Sequence, residues 1–461
     1  MGADPKTTVS RAEFLNLFAA VFLPMFMAAV DQTLLATATP AIAGSLGDLR
    51  DSSWIVVGYL LASATIVPLY GRLGDRHGRR NVLLAALGVF ALGSAACGLA
   101  QTLPQLVAAR VLQGLGGGGL MTLSQALIGE LVPPRERIRF QGYFALVFTT
   151  ASIGGPVLGG LVVSHTSWRW LFFANLPFAA FAAWRLSRLP AGERHPEAAS
   201  GRDVPGQLLF AVAAVSTLYW LTSVGHRFAW GSTWSLALAA LALVSIAALA
   251  WHESRQAAPF LPVDLLRNRT VGLSATLTAL FAASLFAVIF FLPIYLQLGH
   301  RVSPLLSGLL LLPVTAGMVT AALAASKLLG RTGEAHWIPV GGMSLAAVAL
   351  LLLGLLPDDQ GLVIALGFLT GLGLGVVMPI NQVVVQTVAG RARLGAAMAL
   401  MGLARSTGGA TGAALFGAVV FALMPHVDVV EAFHRAFLVA AGVAVLGALT
   451  ASRIPRVKLW P

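Results

Sequence analysis

Asp31 is the residue best suited to chemistry in this chain, because it is the only carboxylate lying well inside a long apolar run; Glu130 falls at the end of its own. A carboxylate held in hydrocarbon is costly while charged, so its gain or loss of a proton couples readily to a change of structure. Arg110 and Arg405 are the cations inside apolar runs. A guanidinium beside Asp31 favours the ionised acid and so opposes the effect of burial. Two plainer readings stand beside this one: Asp31 wetted at a helix end, and Arg110 reaching along its stem to the membrane surface. Arg405 lies about 11 residues, ~16 Å, into its run, where a cation must face a cavity or a partner. It suits selection of an anionic substrate, an exchange of partners with Asp31, or a contact to backbone carbonyls. Gln32, Gln113, Met121, Gln125, Tyr295, Asn381 and Gln382 are further polar or soft side chains for a central cavity.

The elements that carry these residues are dictated by composition. Of 461 residues, 57% are hydrophobic and 10% charged, with a mean hydropathy of +0.82, which makes an all-α polytopic membrane protein. A net charge of +12 would suggest nucleic acid if the arginines formed one face. They lie instead in short loops at intervals, which fits retention on the cytoplasmic side and contact with anionic lipid. The single cysteine, Cys97, allows neither an internal disulfide nor a thiolate metal site. There is no phosphate-cradling G-x-x-x-x-G-K-S/T loop and the histidines are scattered, so neither an enzyme nor a bound cofactor is expected. The run from Phe14 is read as a first membrane helix rather than a removable leader, because many such runs follow.

Runs long enough to cross ~30 Å of hydrocarbon number fourteen. They fall near 14–36, 54–71, 82–100, 104–131, 141–163, 168–188, 205–225, 233–251, 270–297, 304–326, 337–356, 361–388, 394–422 and 433–452. Charge supports the count. If the loop Gly71–Arg80 is cytoplasmic, loops on its side hold 23 of the 30 basic residues, and the opposite loops hold only Arg50, Arg169, Arg227, Arg301 and Arg435. Both termini are then expected in the cytoplasm. On this threading Asp31 is about 17 residues, ~25 Å, from the cytoplasmic start of its span and Arg110 about six residues, ~9 Å, from the outer start of its own, so the two can meet in the outer part of the membrane.

Internal echoes suggest duplication. Gly114, Leu115, Gly116, Gly118, Met121 and Gln125 recur in the same order as Gly371, Leu372, Gly373, Gly375, Met378 and Gln382. Leu73, Arg76 and Gly78 recur as Leu328, Arg331 and Gly333, and Gly154-Gly155 as Gly408-Gly409, all at nearly one spacing. The spacing exceeds six spans, so 205–225 and 233–251 read as an insert between two six-span halves. The expected division is residues 1–190, a linker with two extra spans at 191–269, and residues 270–461. Leu189–Val204 and His252–Arg269, with their prolines and charges, are the connecting segments.

The sequence Gly71-Arg72-Leu73-Gly74-Asp75-Arg76-His77-Gly78-Arg79-Arg80 reads as a short aqueous loop whose glycines permit a tight reversal. It resembles the signature loop G-x-L-x-D-R-x-G-R-R of the major facilitator superfamily. Val30 to Pro40 is similar to the first-span motif of the superfamily's fourteen-span drug:proton antiporters, with Ala36 and Thr37 where an asparagine is usual. Arg110-Val111-Leu112-Gln113-Gly114-Leu115-Gly116 is similar to the fourth-span motif R-x-x-Q-G-x-G. Gly142 to Ala151, then Gly155, Pro156, Gly159 and Gly160, resembles a fifth-span motif of antiporter branches rather than importers. Small residues there leave a smooth helix face, and Pro156 weakens the backbone ladder at a hinge. Trp168 to Pro177 resembles the entry to the sixth span in the same branch, and Phe291 to Gln297 and Gly308 to Pro313 extend the likeness into the second half.

The resemblance implies a proton-coupled exporter working by alternating access in the cytoplasmic membrane. Asp31 and Arg110 would couple the proton, and the segment Gly71, Asp75, Arg76, Gly78 and Arg79 would latch the halves. Asp75 would do so against the positive end of the span that begins near Leu394. Partners are expected to be protons, membrane lipid and a small lipophilic substrate, with a monomeric chain driven by the proton gradient. Two other readings are weighed: a dedicated exporter of one endogenous metabolite or self-made toxin, and a membrane sensor that transports nothing.

Overall fold

The computed structural model describes residues 11–47, 51–131, 150–151, 154–189, 203–224, 227–256, 263–332, 335–356, 359–389 and 394–457. Of some helical residues, Asp75 and Gln125 among them, only the backbone is described. The helices in chain order are α1 (Arg11–Leu46), α2 (Ser53–His77), α3 (Arg79–Leu99), α4 (Leu103–Leu131) and α5 (154–165). Then come α6 (Trp170–Phe173), α7 (Asn175–Ser187), α8 (Val204–Ser223), α9 (Thr233–Glu253) and α10 (Val263–Arg267). After these follow α11 (Arg269–Leu298), α12 (Pro304–Leu309), α13 (Leu312–Thr332), α14 (Trp337–Leu355), α15 (Gln360–Gly375), α16 (Val377–Ala389), α17 (Leu394–Leu423) and α18 (Val429–Ser452).

Among the described residues 10 helices are long and apolar enough to cross a membrane, and 11 when the two arms of α1 are taken as one span. Three expected runs make up the difference from fourteen. The apolar part of α2 is short, Ser53–Val67. The fifth run lies partly outside the described residues, and the sixth is divided into α6 and α7 by the turn at Ala174.

Two local features depart from the simple reading. First, α1 is bent by 66° between Ala20–Leu35 and Thr37–Leu46. Pro40 lies within the helix and has no N–H to give the carbonyl four residues earlier, at residue 36, so the ladder opens at that point. Second, Gly71–Arg80 is not an aqueous loop: residues 71–77 are the last two turns of α2, and the reversal is made at Gly78 alone, with φ 86°. That backbone conformation is strained for any other residue. Gly71 has open space where a side chain would stand, and Gly74 makes room for the Leu123 side chain. The reversal is tied down by arginine. Arg79 Nη1 donates to the Ala126 carbonyl at 2.8 Å, and Arg80 donates to the Leu186 and Ser187 carbonyls at 3.0 and 2.6 Å. A cation suits the unpaired carbonyls at a helix C-terminus.

Packing repeats along the chain as the glycine echoes do. In α4, Gly114 and Gly118 bring the backbone against Tyr59 and Ser63 of α2, while Gly116 meets Phe90 and Ala86 of α3. In α15, Gly371 and Gly375 approach Val314 and Met318 of α13, while Gly373 meets Gly342 and Ala346 of α14. Each of these glycines is crossed by neighbouring backbone at a distance a Cβ would not tolerate. The buried apolar core runs through both groups of helices, from Ala20 and Tyr59 to Phe437. Helices α8 and α9 pair with one another, and α8 also touches α2 and α17. The outer face of α9 shows Trp234, Leu236, Leu243 and Val244, as a lipid-facing helix should.

The glycine contacts carry a test. Gly116→Ala places a methyl group in the α3 backbone, an overpacking worth about 1–3 kcal/mol, whereas Gly88 on the open face of α3 has nothing within 4 Å. Thermal unfolding of the detergent-solubilised protein should therefore be lowered by Gly116→Ala and not by Gly88→Ala; equal effects would contradict the packing described.

Candidate functional site

The chemistry is concentrated where α1, α2, α3, α4 and α7 converge. Asp31 is 0% exposed and Arg110 1%, and Arg110 Nη1 lies 2.5 Å from Asp31 Oδ2. Neither plainer reading holds for these two side chains, since the acid is not wetted and the guanidinium does not reach the surface. Gln113 completes a triangle: its Oε1 accepts from Arg110 Nη1 at 2.5 Å and its Nε2 donates to Asp31 Oδ1 at 2.9 Å. The one-turn spacing of Arg110 and Gln113 along α4 puts both on the face turned to α1.

Around this triangle stands a further set of polar groups. Ser94 of α3 accepts from Gln113 Nε2 at 2.7 Å and from Asn175 Nδ2 at 3.2 Å. Asn175, at the start of α7, also reaches Asp31 Oδ1 at 3.5 Å. Cys97 directs its thiol to Gln113 Oε1 at 3.5 Å. Arg110 has acceptors besides the acid: its Nε donates to the Ile55 carbonyl at 3.0 Å, and its guanidinium lies 4.3 Å from the centroid of the Tyr59 ring. A buried charge pair is tolerated only when its remaining donors and acceptors are satisfied in this way.

Above the pair, towards the α1 C-terminus, the bend of α1 is closed by α5. Thr33 Oγ1 donates to the Ala151 carbonyl at 3.0 Å and Thr37 Oγ1 to the Pro156 carbonyl at 3.1 Å. A side chain at Gly155 or Gly159 would collide with Thr33 or with Leu34 and Thr37. Gly160 abuts Pro304 and Leu305, and Gly308 abuts Pro156, so the motif is also where α5 meets α12. Gln297 adds a bond from α11 to the Thr37 carbonyl at 3.0 Å.

The other expected site residues are placed as follows. Gln113 belongs to the buried triangle. Gln32 is half-buried beside Tyr59, and Met121 packs at the edge of the core. Asn381 is buried and donates to the Ser274 carbonyl and to Thr278 Oγ1 at 2.8 and 2.7 Å, joining α16 to α11. Tyr295 is buried among Phe433, Phe437, His300 and His434, its hydroxyl 3.4 Å from His434 Nε2. Gln382 and Arg405 are half-buried on α16 and α17. Arg76 is exposed. The side chains of Asp75 and Gln125 lie outside the described residues, and with the former lies the expected contact to the start of α17. Ser94, Tyr59 and Asn175 were not picked out from sequence as members of the site. Asn175 offered a signal, a lone amide in an otherwise aromatic and apolar stretch.

The family follows from comparison of whole chains. A model of the major facilitator superfamily matches residues 21–413 and 274–460. The chain belongs to the major facilitator superfamily. Among relatives, it is 34% identical over 432 residues to the multidrug transporter protein MdtP of Bacillus subtilis (strain 168), covering 91% of this chain and 80% of that one. It is 35% identical over 406 residues to the uncharacterized MFS-type transporter Rv1877 of Mycobacterium tuberculosis, of whose length it spans 59%. The crystal structure of a D-xylose–proton symporter superposes with a TM-score of 0.67 at 16% identity, covering 97% of this chain and 99% of that one, which shows the shared fold. This is therefore a transporter and not an enzyme.

The asymmetry of the buried pair gives a prediction. Arg110→Ala strands the carboxylate, a loss of about 3–5 kcal/mol for one partner of a buried pair. Asp31→Asn leaves the guanidinium its contacts to Gln113, Ile55 and Tyr59. Chemical unfolding in detergent should rank Arg110→Ala well below Asp31→Asn in stability; the reverse order would contradict the geometry.

Proposed function

We propose that this superfamily member is a proton-coupled exporter of lipophilic compounds, built as two six-helix halves, residues 1–190 and 270–461, with two extra spans at 191–269. The observation that carries this reading is the fully buried Asp31–Arg110 pair, ringed by Gln113, Ser94 and Asn175. An acid in that place has two states that differ by a whole charge in an apolar setting, and substrate need only favour one of them. The repeated packing of α4 on α2 and α3, and of α15 on α13 and α14, supports the duplicated halves. The fourteen-span count is supported by the basic residues of the loops, which also favour cytoplasmic termini and a cytoplasmic membrane.

In the cycle proposed here, a protonated Asp31 gives its proton to the cytoplasm as substrate binds, and regains one from outside as substrate leaves. Asp31 and Arg110 stay in the first half while the second half rocks against it, with Gly155, Pro156, Gly159 and Gly160 as the pivot of α5 against α1 and α12. Entry of one proton supplies about 2.3 kcal/mol per 100 mV, enough for a substrate gradient of tens of fold. The segment Gly71, Asp75, Arg76, Gly78 and Arg79 is proposed to latch the two halves. Export is favoured by the fifth-span motif and by the name of the B. subtilis relative, a multidrug transporter. The cavity residues proposed are Gln32, Met121, Gln125, Tyr295, Asn381, Gln382 and Arg405, with no cofactor beyond the proton gradient and a monomer as the working unit.

The test is transport into everted membrane vesicles of a panel of lipophilic dyes, with and without an imposed proton gradient. The parent protein should accumulate at least one dye against its gradient. Asp31→Asn should lose the uphill component while still letting dye equilibrate. Undiminished uphill transport by Asp31→Asn would overturn the reading.

A further inference from the structure

The end of the bundle where α1 stops at Leu46, α2 starts at Ser53, α11 stops at Leu298 and α17 stops at Leu423 is the outer end on the proposed threading. It is shut. On one side the Gly417 position of α17 meets Ser53 of α2 and Phe291 of α11, and on another Gly160 of α5 meets Pro304 and Leu305 of α12. These are contacts of shape, which part without the loss of a hydrogen bond. A third contact at this end is a hydrogen bond with a direction. Gln297 Nε2, on α11, donates to the Thr37 carbonyl of α1 at 3.0 Å and to Ser307 Oγ of α12 at 2.9 Å. Ser307 is itself fixed, since its hydroxyl donates to the Pro304 carbonyl at 2.8 Å. Thr37 and Ser307 are both 0% exposed. A primary amide nitrogen carries two N–H donors, so Gln297 gives one to its own proposed half and one to the other.

The acceptor on α1 is unusual for a helix interior. Thr37 opens the second arm of α1, immediately past the 66° bend, and a bend of this kind tilts carbonyls out of the ladder to where a donor from another helix can reach them. The same residue sends its hydroxyl to the Pro156 carbonyl of α5 at 3.1 Å. Thr37 is thus held from α5 through its side chain and from α11 through its backbone, six residues along the same helix from Asp31.

We propose that Gln297 is the positioning residue that keeps this end of the bundle closed, by holding the bent arm of α1 to α11 and α12. The two halves cannot part here until the amide lets go of Thr37. Gln297 therefore sets how often Asp31 is presented to the outer side, without touching the acid or the proton. This rests on the antiport reading above and adds to it the residue that governs one of its two openings.

The experiment uses the full chain, purified in lipid nanodiscs so that a small maleimide reaches both faces, with Ser53→Cys as the reporter. Ser53 is 1% exposed beneath α17, so its replacement thiol reacts only while this end is open and its rate of alkylation follows the open population. Native Cys97, 0% exposed between α3 and α4 within the first half, reports general loosening in the same molecule. Gln297→Met keeps the length of the side chain and removes both donors. It should raise the rate at the reporter about two- to ten-fold, the span expected for one hydrogen bond, and leave the rate at Cys97 unchanged. Gln297→Glu, which sets an acceptor against the Thr37 carbonyl, should raise it at least as much and serves if the methionine form is not recovered folded. A reporter rate equal to the parent's in both variants, or an equal rise at Cys97, would overturn the role of Gln297. Alkylation needs neither substrate nor a proton gradient, so this result is separate from dye transport: undiminished uphill transport by Asp31→Asn removes the antiport reading, whereas an unaltered reporter rate removes the tie alone.

Discussion

Burying a carboxylate and a guanidinium together inside an apolar bundle is the constraint to which the rest of this molecule answers. Neither charge is stable there alone, and the attraction between them offsets their loss of water only if the surrounding groups are fully engaged. Hence the convergence of α1, α2, α3, α4 and α7 on a single point, with an amide from α4, another from α7 and a hydroxyl from α3. The glycines of α4 belong to the same requirement. Gly114 and Gly116 let that helix approach Tyr59 and Phe90 closely enough for Arg110 and Gln113 to reach the acid. Close packing and buried charge are thus two sides of one arrangement.

The placement of acceptors makes the pair one-sided. Arg110 keeps the Gln113 amide, the Ile55 carbonyl and the Tyr59 ring whichever form Asp31 takes. The acid can therefore change its charge without forcing the arginine to move. A pair built the other way round, with the arginine dependent on the carboxylate alone, would unfold locally each time the proton arrived. The bend in α1 has a comparable logic. It falls just past Thr33, where the Ala151 carbonyl and the Pro156 carbonyl of α5 accept the threonine hydroxyls, so the helix that carries Asp31 is tied at its bend to the start of α5.

Much of this was legible in the residues. The isolation of Asp31 among apolar neighbours and the one-turn spacing of Arg110 and Gln113 are local signals, and counting residues along each span put the acid and arginine at similar depth. What was not legible depends on contacts between distant segments. Ser94 is an ordinary helical serine until α7 brings Asn175 to it, and Tyr59 reads as an aromatic in a hydrophobic run until α4 places a guanidinium over its face. Gln113 reads as a cavity residue by type but is consumed by the pair. The charged stretch after Gly71 misled for a different reason. Charge says that a segment leaves the hydrocarbon, not that it leaves the helix, and α2 continues past its apolar part until Gly78 supplies the backbone conformation that ends it.

The central claim is that the acid in this cluster changes its protonation while buried. Infrared difference spectroscopy of the reconstituted protein measures that directly, through the carbonyl stretch of a protonated carboxyl. The account predicts a band that grows on acidification, is absent from Asp31→Asn, and shrinks when a transported compound is added at constant pH. A carboxyl band unchanged in Asp31→Asn, or no protonation at any pH at which the protein remains folded, would contradict it.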